Sequence, residues 1–185
     1  MIQDQIRKQE QLILDASKQL ETLRKEIPLQ PLAKTYVFQT DEGERSLSDL
    51  FLGKKNLILI HNMGFGCHWC TAWADGINGV LAHLEAMTSI VLVSKESPAD
   101  FQKFAQKRQW KFRFASHGGG DFMKDHCGFG DQSNYPGASS FAIKDGSVYK
   151  RNSTFFGPGD QFNSIFPLAS LTGVGADEVQ LKAEY

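Results

Sequence analysis

Two apolar runs constrain this chain most: Asn56-Leu57-Ile58-Leu59-Ile60-His61 and Ser89-Ile90-Val91-Leu92-Val93. Neither alternates apolar with polar residues, so each reads as a strand buried on both faces. The stretch between them reads as a helix, and two buried strands joined by a helix form a right-handed βαβ unit with parallel strands. Ligands and reactive groups of such a unit gather at the carboxyl ends of its strands. Cys67-His68-Trp69-Cys70 falls on that edge, between the loop Met63-Gly64-Phe65-Gly66 and the helix.

A Cys-x-x-Cys at the start of a helix is a setting for a redox dithiol, because free backbone N–H groups and the helix dipole stabilise a thiolate there. Cys67, nearest those N–H groups, is the expected nucleophile, and Cys70, one turn deeper, the resolving thiol. A charge on His68 would lower the pKa of Cys67; the alternative is that His68 is a solvent-facing turn residue. Trp69 and Gly66 are expected to form the surface a substrate touches. A structural zinc site would need a second close pair, and only Cys127, His126, His117 and His61 remain to supply it. A Cu(I) site made by Cys67, Cys70 and His61 is the non-enzymatic rival, with His61 as a satisfied core residue the plainer reading. The dithiol reading requires no metal and no cofactor.

Cys127, in Asp125-His126-Cys127-Gly128-Phe129, is expected to be a small buried hydrophobe. As a third redox thiol it would instead resolve a sulfenate on Cys67, which is peroxidase chemistry. Three cysteines in 185 residues do not make a disulfide framework. With 41% hydrophobic residues and 22% charged, the chain can bury one core. A net charge of −1, with both signs interspersed, offers no excess of positive charge to neutralise phosphates and makes nucleic acid an unexpected partner. No apolar stretch reaches the length of a membrane span, and Met1 to Glu10 is polar where a secretory signal would be apolar. A soluble, cytoplasmic protein is expected, with a protein or small-molecule thiol or disulfide as its partner.

Residues 1–27 read as a helical arm, with Ile2, Ile6, Ile13, Ala16, Leu20, Leu23 and Ile27 recurring every three or four positions. Pro28 and Pro31 end it, and residues 28–185 form the domain. Such arms more often pack on their own domain, which is the expectation here; a homodimer seam is the alternative. Tyr36 to Thr40 and Glu44 to Leu47 flank Asp41-Glu42-Gly43 as a hairpin. Ser97-Pro98-Ala99-Asp100 opens a helix running to about Gln109. Lys111 to Ala115 alternates like a strand, and Ser139 to Ile143 pairs with Ser147 to Arg151 around Asp145-Gly146. A last helix is expected after Asp160. Gly76 and Gly79 weaken the dithiol helix, and close packing against a strand is the expected reason, with Asp75 as a proton acceptor for the cysteines the alternative.

The order strand, Cys-x-x-Cys, helix, strand, helix and hairpin with Lys144-Asp145-Gly146 at its turn resembles a thioredoxin-like fold. Tyr36-Val37-Phe38, Asp41-Glu42-Gly43 and Ser46-Leu47-Ser48-Asp49-Leu50-Phe51 resemble the added hairpin of its peroxiredoxin-like branch. Ser46 to Phe51, His61-Asn62-Met63, Trp73-Ala74-Asp75-Gly76, His83-Leu84, Val93-Ser94 and Trp110-Lys111-Phe112 are similar to a bacterial thioredoxin-like family of unknown function, domain of unknown function eight-nine-nine. The resemblance runs through Ser153-Thr154-Phe155 and implies an α/β fold, a central mixed sheet flanked by helices. It also implies a substrate-docking loop before the hairpin strand, near Pro136 or Ala138, with Pro136 two residues from the position that counting back from Lys144 gives. Peroxiredoxins place a hydroxyl residue three before the reactive cysteine, where this chain has Gly64, which argues against a peroxidase of that design. A buried acid of thioredoxins lies on the strand where this chain has His61.

Overall fold

The computed structural model describes residues 1–182, so the last three residues of the expected domain lie outside the described residues. Elements follow in the order α1 (Ile2–Glu26), β1 (Gln30–Pro31), β2 (Val37–Thr40), β3 (Gly43–Ser46), a 3-10 turn (Asp49–Phe51) and β4 (Asn56–His61). Then come α2 (His68–Glu85), β5 (Ser89–Ser94), α3 (Pro98–Arg108), β6 (Arg113–Ser116) and α4 (Asp121–His126). β7 (Gly137–Lys144), β8 (Ser147–Phe155), α5 (Ile165–Ser170) and a 3-10 turn (Ala176–Glu178) complete it.

The strands form one mixed sheet in the order β1-β8-β7-β4-β5-β6-β2-β3. β4, β5 and β6 run parallel, and β7 lies antiparallel on the other side of β4. Successive strand residues face opposite sides, so the uninterrupted apolar runs of β4 and β5 feed two cores. Ile60, Ile90 and Leu92 point into the first, with Trp73 and Ile77 of α2, Phe101 of α3 and Phe166 of α5. Leu57, Leu59, Val91 and Val93 point into the second, with Phe38, Phe51, Phe122 and Phe141. All six residues of β5 are buried, as a strand covered on both faces must be.

Several local expectations shift. β6 begins two residues later than the Lys111–Ala115 pattern, because Phe112 joins the first core before the ladder starts at Arg113. The helix expected after Asp160 begins at Ile165, because the Asp160 carboxylate instead accepts from the N–H groups of Gly157 and Phe162 and closes a turn. Gly76 and Gly79 lie on the outer surface of α2, where a Cβ would meet nothing, so close packing does not explain them. Asp75 accepts from Trp110 Nε1 at 2.7 Å and pairs with Arg108 at 2.7 Å, which ties α2 to the end of α3. The expected packing of the arm on its own domain is partial: no residue of α1 is buried, and Ser17, Leu20 and Arg24 are half-buried. Its C-terminal half shares a groove with the domain, lined by Leu14, Ser17, Lys18, Glu21, Arg24 and Lys25 with Leu57, Ile58 and Phe141, while Ile2, Ile6, Ile13 and Leu23 stay exposed.

Candidate active site

β4 ends at His61, and Asn62 Oδ1 accepts from the Gly64 N–H at 2.8 Å to start a tight turn. Gly64 has φ +136, and a Cβ there would stand 2.7 Å from Glu96 Oε1. A hydroxyl residue at this position would be strained in its backbone and would require the end of the Glu96 side chain to move aside. Cys67 follows as the N-cap of α2 in extended geometry, φ −86 and ψ 101. Its Sγ accepts from the Cys70 N–H at 3.1 Å, and its carbonyl accepts from the N–H and the hydroxyl of Thr71, both at 3.0 Å. The sulfur thus replaces the oxygen of an ordinary capping residue and receives an N–H that the helix leaves unpaired.

The Cys67 and Cys70 sulfurs stand at disulfide distance, with Cα atoms 5.3 Å apart. Cys67 is half-buried and Cys70 is buried, so a partner reaches the pair from the Cys67 side. His68 and Gly66 are exposed beside it. Trp69 is 40% exposed and stacks on Phe166 of α5, ring centres 5.8 Å apart and planes 12° from parallel. Behind them Trp73 donates from Nε1 to Asp160 at 2.8 Å and lies 6.2 Å from Phe156. An aromatic platform therefore adjoins the dithiol. Phe166 and Asp160 were not legible as site residues, since they lie about ninety positions from the cysteines and carry no motif.

Pro136 is buried immediately before β7, and its neighbour Gly137 pairs with His61 at the β4 end. The preceding loop reaches the dithiol loop directly, Asn134 Nδ2 donating to the Met63 carbonyl at 3.3 Å. Gly137 has no room for a side chain, because a Cβ would run into the Thr154 carbonyl of β8. Ala138 pairs with Ile60 and faces an apolar cavity of about 310 Å³ shared with Ile77 and Phe156. Pro136 is thus the residue at the dithiol edge, and Ala138 lies one step down the strand.

Cys127 lies beyond the sheet, fully buried in the second core, and burial pushes its thiol up to about 12. His61 is on that same face. It is buried, and neither ring nitrogen has a partner, so it is a core residue without the satisfaction expected of one. Burial, reinforced by His117, His126 and Lys150, lowers its pKa to about 3. His117 and His126 are lowered to about 4, chiefly by burial. The rings of all three surround Phe122, at 6.1 Å, 6.3 Å and 4.9 Å. Among the described residues no group of three His, Cys, Asp or Glu side chains is arranged to hold a metal ion.

A Cys-x-x-Cys capping the helix after the first strand of a parallel β4-β5 pair, with an antiparallel β7-β8 hairpin beside it, defines a thioredoxin-like fold, here with the added strands β2 and β3. AhpC of Enterococcus faecalis has a similar fold, with a TM-score of 0.53, 13% identity, 80% of this chain and 90% of that chain covered. So does the pneumococcal exposed lipoprotein thioredoxin Etrx1 of Streptococcus pneumoniae, with a TM-score of 0.52, 14% identity, and coverage of 76% and 100%. Peroxidoxin BcpB of Mycobacterium tuberculosis gives 0.51, 15% identity, and coverage of 70% and 86%. No curated protein matches the chain. The chain belongs to the family described as bacterial protein of unknown function (DUF899), whose sequence profile matches residues 3–185. No described helix is long and apolar enough to cross a membrane.

Proposed function

We propose that this protein is a thiol-disulfide oxidoreductase acting through Cys67 and Cys70 on a protein or small-molecule partner in the cytoplasm. The observation that carries the reading is the asymmetry of the pair. A half-buried sulfur caps α2, and a buried one stands at disulfide distance behind it. In the reducing direction the Cys67 thiolate attacks one sulfur of a partner disulfide; a Cys67–partner bond forms and the other partner sulfur leaves as a thiolate. The Cys70 thiolate then attacks Cys67 Sγ, releasing the second partner thiolate and leaving the Cys67–Cys70 disulfide. Two electrons pass from the dithiol to the partner, and an external thiol reverses the sequence. The Trp69–Phe166 platform offers the partner an apolar surface beside Cys67. Gly64 weighs against a peroxidase, since the backbone there, at φ +136, disfavours the hydroxyl residue that would hold a peroxide.

The test is a redox titration of the Cys67–Cys70 pair in Cys127→Ser protein. A potential near about −270 mV indicates a reductase, and one near about −120 mV an oxidant. A pair that never forms a disulfide across that range would sink the proposal.

A further inference from the structure

α1 is a 25-residue helix without a single buried residue, whereas most helical stability in proteins comes from packing an apolar face. Its apolar positions alternate in steps of four and three. Ile6, Ile13, Leu20 and Ile27 form one row, and Ile2, Gln9, Ala16 and Leu23 form the other. That is the seven-residue spacing of a coiled-coil seam. Yet the seam is open: Ile2 is 72% exposed, Ile6 44%, Ile13 66% and Leu23 60%. Only Leu20 and Ile27 are half-buried, at the end nearest the domain.

We propose that α1 pairs antiparallel with α1 of a second copy of this chain, making a homodimer through the arm. The seam is complementary to itself about a two-fold axis. With Ile2 opposite the partner's Ile27, Ile6 faces the partner's Leu23, Gln9 the partner's Leu20 and Ile13 the partner's Ala16. The small residue thereby meets a branched one. A parallel pairing would set Ala16 against the partner's Ala16 and leave a hole, and would put the two Gln9 side chains in the seam together. Antiparallel pairing also keeps the domains at opposite ends of the coil, so their cysteines stay accessible. A buried Ile or Leu withdraws roughly 60–120 Å² from water, and six such residues from each copy reach on the order of 1,000 Å². That is about the area a specific interface needs. The flanking Leu12, 59% exposed, extends the seam on one side.

Sedimentation equilibrium of the full chain tests this. A dimer is expected at micromolar concentration, and Ile13→Lys with Leu23→Lys is expected to weaken association at least about 100-fold. Because those side chains touch no core, the variant should keep its far-ultraviolet signal and its Cys67–Cys70 disulfide. A spin label on Asp4→Cys, with Cys67→Ser and Cys70→Ser to leave only buried Cys127, reads the orientation. Antiparallel arms separate the two labels by about 30 Å along the coil, and parallel arms bring them to about 10–15 Å. A monomer at tens of micromolar, a dimer indifferent to the lysines, or the short distance would each overturn the proposal.

Discussion

The two faces of the sheet hold the same kinds of residue and give them opposite properties. On the α2 face Cys67 caps a helix, accepts an N–H and is partly open to solvent. Past the sheet Cys127 sits among Phe122, Phe141 and Leu59, with a thiol pushed to about 12. His68 is exposed beside the dithiol, whereas His61, buried in the other core, is held neutral with both nitrogens unpaired. Residue type alone therefore does not make a candidate redox site here. Position at a helix end and access to water do, because the thiolate is the reactive species and burial without a partner suppresses it.

The comparison can be broken most directly by alkylation of the reduced protein. Cys67 should react first and Cys70 more slowly, while Cys127, with a thiolate fraction of about 10⁻⁴ at pH 8 and no access, should be modified only on unfolding. Mass mapping of the alkylated sites reads the order, and native-state labelling of Cys127 at a rate comparable to Cys67 would refute it.

A smaller effect sharpens the histidine half. Unfolded, each of His61, His117 and His126 titrates near its usual 6.5; folded, they do so at about 3, 4 and 4. Since the folded values are depressed, their contribution to stability is complete above pH 6.5 and is lost as pH falls toward 4. Each unfolded imidazole then binds a proton that the native one refuses. Each costs up to about 1.4 kcal/mol per pH unit. Urea midpoints between pH 7.5 and 5 should fall accordingly, and His61→Leu should flatten the slope. A pH-independent midpoint would mean that the three rings are better hydrated than their burial implies.

The smallest expected change concerns α2 itself. Gly79 is exposed in mid-helix with open space at its Cβ position, so Gly79→Ala should stabilise the domain by roughly 0.5–1 kcal/mol. Thermal melts measure this, with the dithiol potential unaltered. A destabilised variant would contradict the open space at the Gly79 Cβ position.

Much of this was legible in the residues because the signals are local. The β4 and β5 runs, the Ser97-Pro98 start of α3 and the Asp145-Gly146 turn each depend on neighbours a few positions away. The same holds for Cys67 at the start of α2, where helix capping needs only the next three residues. The Gly76 and Gly79 expectation failed because a glycine reads the same whether it meets a neighbouring strand or empty solvent. The arm was legible in part: its spacing states that an apolar stripe must be covered, while only the tertiary structure shows that the C-terminal half of α1 also lies along its own domain.

The sequence by itself determined the alternation of buried strands and helices, the dithiol at a helix start and the self-complementary spacing of α1, since these follow from periodicity and short-range capping. Only the tertiary structure decided which face of the sheet each cysteine and histidine occupies, and that Phe166 stacks on Trp69. It also brought the end of the Glu96 side chain beside Gly64. Those are contacts between residues far apart in the chain, set by how the two cores pack, and packing depends on every element at once.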